Sequence, residues 1–123
     1  MVQTDLSQLL AECSEWRQIM RNYREEFQDS KKALQSMCRN SLSRNQLQEV
    51  EHFDNQFHIQ LINIHDLKQE IKLHEKALNG EGAEHNEDLF ARHEHLLDQF
   101  ITLENTLQGL RSEFQEFTNT TAC

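Results

Sequence analysis

The chain has 123 residues, 37% of them hydrophobic and 27% charged, with no proline and three glycines. Its 12 lysines and arginines against 21 aspartates and glutamates give a net charge of −9, which argues against nucleic-acid binding, because phosphate contact draws on basic side chains. No apolar run reaches the ~20 residues that a membrane-spanning helix needs.

The missing proline and the scarcity of glycine favour helix throughout. The first predicted helix covers about residues 4–40. Leu6, Leu9, Cys13, Trp16, Met20, Tyr23, Phe27, Leu34 and Met37 fall at alternating spacings of three and four, with Ser30 filling the gap. That is a heptad seam. The second predicted helix covers about 44–78, with Val50, Phe53, Phe57, Gln60, Ile64, Leu67, Ile71, His74 and Leu78 on its seam. Ser43 followed by Gln46 reads as a capping box at its start. Neither glycine nor proline separates the two helices. The first seam would continue to Ser41 and Arg44, whereas the second extrapolates back to 43 and 46, and this slip in phase places a break near residue 42.

Asn79-Gly80-Glu81-Gly82 predicts a turn, with asparagine or glycine suited to a left-handed helix cap. The third predicted helix covers about 86–117, with Leu89, His93, Leu96, Phe100, Leu103, Leu107, Leu110, Phe114 and Phe117 on its seam and Gly109 off it. Three long helices with short links must alternate in direction. The expected fold is all-α, a single-domain, elongated up-down-up antiparallel three-helix bundle with coiled-coil-like packing. These proportions, with Trp16 on the first seam, resemble those of a spectrin repeat in topology and in that one residue.

Three cysteines, Cys13, Cys38 and Cys123, show no close pairing and read as free thiols. No secretory signal is visible at the N-terminus, so the expectation is a soluble, cytoplasmic protein and Asn119-Thr120-Thr121 is a chance sequon. Charge is segregated. Residues 1–42 are neutral overall, and residues 80–123 carry −7 of the total −9. That acidic helix is a solvated face or a docking surface for a basic partner. Arg17, Arg21, Arg24, Lys31 and Lys32 of the first helix are the groups that would meet it in a second copy. Ile19, Leu61, Ile62, Leu97 and Ile101 flank the seams as expected exposed apolar residues, which makes a homodimer credible.

All seven histidines lie between residues 52 and 95. A hemerythrin-like site fails, because His65 is followed four residues on by Gln69 and His74 by Leu78. A carboxylate di-iron site fails as well, because Glu49 and His52 form the one ExxH motif. There is no GxSxG elbow and no glycine-rich phosphate loop, so no enzymatic activity is expected. His52, His58, His65, His85 and His95 are expected at flanks or on the surface.

One constellation remains. Folding the chain about turns near residues 42 and 81 brings the seam residues Cys13, His74 and His93 to within about 7 Å along the bundle axis, with Trp16 beside them. A thiolate and two imidazoles suit zinc or another borderline metal, with Glu94 or His85 as a fourth ligand. The competing reading is neutral core histidines, hydrogen-bonded across the seam or snorkelling to the bundle rim, beside Cys13 as a small core hydrophobe. The expected function is a non-catalytic interaction or structural module that associates with a protein partner or with itself. The alternative is a metal-binding or sensing protein using Cys13, His74 and His93.

Overall fold

The computed structural model describes residues 6–37 and 39–121, and the side chain of Arg39 is not among them; Cys38 and Cys123 lie outside the described residues. Three α-helices form an antiparallel bundle: α1 (Leu6–Gln35), α2 (Arg44–Leu78) and α3 (Glu87–Thr120). Single 3-10 turns at Arg39–Ser41 and Ala83–His85 occupy the links. No helix among the described residues is long and apolar enough to cross a membrane.

The helix ends follow from local hydrogen bonding. Residue 43 caps α2 as expected: Ser43 Oγ accepts from the Gln46 amide at 3.1 Å and Gln46 Oε1 accepts from the Ser43 amide at 2.8 Å. Asn86 caps α3 by accepting from the Asp88 amide at 3.0 Å, and Glu87 and Asp88 place negative charge at the positive end of the helix dipole.

Two boundaries differ from the sequence reading. Helix α1 stops at Gln35 rather than near residue 40. The Lys32 carbonyl takes both the amide and the hydroxyl of Ser36, and the Met37 amide turns to the Leu34 carbonyl, tightening the backbone out of the α-helix. Met37 still packs half-buried against the core, so its seam spacing persisted after the helix had ended. Helix α3 runs three residues further than expected. In the second link the left-handed position belongs to Gly82 (φ 74°), whereas Asn79 stays right-handed at φ −87°.

The seams form one continuous core. One end of the bundle is aromatic: Phe27 lies 5.1 Å from Phe57, Phe57 meets Phe114 edge-on at 5.0 Å, and Phe53 lies 5.1 Å from Phe117. Burying each such ring contributes about 1.5–3 kcal/mol. Gln60 interrupts the α2 seam while buried, and its Oε1 accepts from Asn63 Nδ2 at 3.1 Å. Gly109 is exposed and off the seam, as expected. Ile62, Leu97 and Ile101 are exposed, whereas Ile19 and Leu61 turn partly inward and pack on the core.

The backbones of α1 and α3 run farther apart than the other two pairs. Long side chains fill that gap. Trp16 stacks on Phe100 with ring centroids 5.8 Å apart, and Arg111 makes two 2.7 Å hydrogen bonds to Glu26. The Arg111 guanidinium also sits 4.7 Å over the Tyr23 ring. At the end opposite the phenylalanines, the same gap is filled by polar groups.

Candidate metal centre

Cys13 lies two turns into α1, His74 one turn before the end of α2, and His93 two turns into α3. All three are seam residues, so antiparallel packing turns them toward one another. Cys13 is fully buried, His74 is 1% exposed and His93 5%. One donor atom from each lies within 4.8 Å of the other two. His74 Nε2 is 3.1 Å from His93 Nδ1, and Cys13 Sγ is 3.9 Å from that same nitrogen. Tetrahedral zinc, with bonds of about 2.0–2.1 Å to nitrogen and 2.3 Å to sulfur, separates its ligands by about 3.3 Å (N to N) and 3.6 Å (S to N). The His74–His93 and Cys13–His93 edges therefore stand within a few tenths of an ångström of those values, whereas the third edge would have to shorten from as much as 4.8 Å.

The other nitrogen of His93 is also engaged. Its Nε2 lies 2.7 Å from Glu12 Oε1. A carboxylate only accepts, so the proton sits on Nε2 and the Nδ1 lone pair faces His74 and Cys13. Metal-bound histidines commonly show this arrangement, with a carboxylate fixing the tautomer and ring orientation. His74 has no such support, because its Nδ1 is buried without a hydrogen-bond partner. Trp16 closes one side with its ring centroid 4.8 Å from that of His93.

The electrostatics at the site are mixed: carboxylates act on Cys13, whereas burial, His93 and Arg92 oppose positive charge on His74. Burial, then Glu75 and Glu12, push the Cys13 thiol up to about 12, with Arg17 opposing them. Burial, then His93 and Arg92, lower His74 to about 4. Near neutral pH the thiol is protonated and His74 is neutral. A divalent ion on one thiolate and two neutral imidazoles would carry +1, which Glu12 balances. Glu75 is held by Arg17: their Nε and Oε1 approach to 2.6 Å out of line, and the aligned hydrogen bond runs from Nη2 to Oε2 at 3.0 Å.

Neither suggested fourth ligand joins the group. Glu94 points to solvent from the outer face of α3, and His85 is exposed beside Glu84 at 3.7 Å. His52, His58, His65 and His95 are exposed, as expected. The residue that seam counting overlooked is Glu12. It precedes Cys13 and so points about 100° away from the seam, into the α1–α3 gap.

No protein-family model, curated protein or solved structure matches the chain.

Proposed function

We propose that the chain is a non-catalytic metal-binding bundle of the cytoplasm, in which Cys13, His74 and His93 hold one zinc-like divalent ion. The observation that carries this reading is the convergence of one thiol and two imidazoles from three different helices, with Glu12 orienting one of them. An ion there would tie together one end of the bundle, where α1 and α3 begin and α2 finishes. The ligands are too buried for a bulky substrate to reach, which favours a structural or sensing role over hydrolysis. A reducing compartment would keep the thiol available, and binding releases its proton, so affinity weakens as pH is lowered.

The test is titration of tag-free, reduced, metal-free protein with Zn2+ and Co2+. The expected result is one ion per chain, a change in fluorescence of the single tryptophan, Trp16, and thiolate-to-cobalt charge-transfer absorption. The C13A and H74L variants should lose all three signals while remaining helical. An absence of saturable one-to-one binding, or binding unchanged in both variants, overturns the reading and leaves a hydrogen-bonded core triad.

A second reading, an interaction module, draws on different features: the exposed Ile62 and Ile101 and the segregation of charge along the chain.

A further inference from the structure

Lys68 is 7% exposed, on the flank of α2 that faces α1. Lys72 lies one turn further along α2, and the Arg17–Glu75 contact turns toward α2 the face of α1 that also carries Arg21 and Arg24; burial, then these cations, lower the Lys68 pKa. Five of the chain's 12 lysines and arginines thus gather along one groove of an acidic protein. Arg17 is paired with Glu75, and Arg21 bonds the Gln18 amide oxygen at 3.1 Å. Among the described residues, no salt bridge neutralises Arg24, Lys68 or Lys72. Like charges facing each other across a helix pair are destabilising, so the arrangement calls for an anionic partner.

The cations form a row rather than a ring. Arg17, Arg21 and Arg24 follow one another along α1 at spacings of four and three residues. A row suits an extended line of carboxylates better than a compact anion. The same molecule carries such a line. Glu87, Glu94 and Asp98 are exposed along the outer face of α3. Arg17 to Arg24 and Glu87 to Glu94 are both seven-residue steps, about 10.5 Å. Leu97 and Ile101, 36% and 46% exposed, border the acidic line and supply apolar area that the lysine and arginine stems can cover.

We infer that the cationic α1–α2 groove docks the acidic outer face of α3 from a second copy of this chain. The two surfaces lie on opposite sides of the molecule: Glu12 and Glu26 show which side of α1 faces α3, and Arg17 lies on the side facing α2. The contact is therefore heterologous, and each added copy presents a fresh groove. Association should be open-ended, deepening with concentration, instead of stopping at a closed dimer.

Sedimentation of the full chain over a wide concentration range at low and high salt tests this. The average mass should climb above 14.6 kDa with concentration, and 0.3 M salt should weaken association about ten-fold. The charge reversals R24E/K72E and E94K/D98K should each abolish association, and mixing the two variants should restore it. E94K/D98K also lowers the net negative charge, so its failure to associate would separate local complementarity from overall repulsion. A wild-type chain that stays monomeric in low salt overturns the inference. Association that survives both reversals, or a mixture that fails to associate, overturns it too.

Discussion

Glu12 and His93 meet at 2.7 Å across the α1–α3 gap, joining residues 81 positions apart. The contact determines which ring nitrogen of His93 is free. Without it, His93 could turn its protonated nitrogen toward Cys13 and His74, and two hydrogen-bond donors would face a third. With it, the Nδ1 lone pair is held toward the other two donor groups.

The E12Q variant isolates the charge in that contact. Glutamine keeps the shape and an acceptor oxygen but removes the charge. Zinc affinity should fall about 10–100-fold, with helicity and thermal midpoint of the metal-free protein little changed. Competition against a chromophoric chelator gives the ratio directly. Unchanged affinity would mean that the Glu12 charge has no part in the site.

Stability of the metal-free protein should depend on His74. Its folded-state pKa is lowered to about 4, against 6.5 for the free side chain. Between those values the unfolded chain takes up a proton that the folded one refuses. Stability contributed by neutral His74 is thus complete above about pH 6.5 and is lost as pH falls toward 4, below which the loss stops growing. The full swing is on the order of 3 kcal/mol. Urea unfolding across this range should show it, and H74L should remove that part of the slope.

Replacing Lys68 should stabilise the monomer. Its lowered pKa means that the charged form is disfavoured in the folded state, so at neutral pH the ammonium carries a penalty that would be relieved only in alkali. K68M keeps the unbranched stem and removes the charge. A higher thermal midpoint than that of the wild-type chain is expected by calorimetry. A lower midpoint would show that Lys68 makes a favourable interaction in the folded protein.

The two ends of the bundle should respond differently to truncation. Phe57 is fully buried and touches Phe27, Phe53 and Phe114. F57A should cost about 3–5 kcal/mol, as large-to-small changes in packed cores do. C13A removes one sulfur atom and should cost clearly less in the absence of metal. Chemical denaturation of both metal-free variants compares them. Equal losses would mean that Cys13 packs as tightly as the phenylalanines.

The sequence alone determined the three helices, their antiparallel order and nearly all of the core, because a three-four spacing of apolar residues can be buried only along one helix face. It placed Leu34, Ile64 and Phe100 inside, and it brought Cys13, His74 and His93 to one level, because the rise per residue is fixed and the links are short. Tertiary structure alone decided the rest. Glu12 and Lys68 lie beside the seams, and which neighbour a flanking side chain meets depends on how the helices rotate and separate. The wider α1–α3 spacing turned Glu12 into a partner for His93. The closer α1–α2 approach buried Lys68 among like charges. One-dimensional periodicity records which face of a helix is apolar; it does not record the distance to the helix opposite.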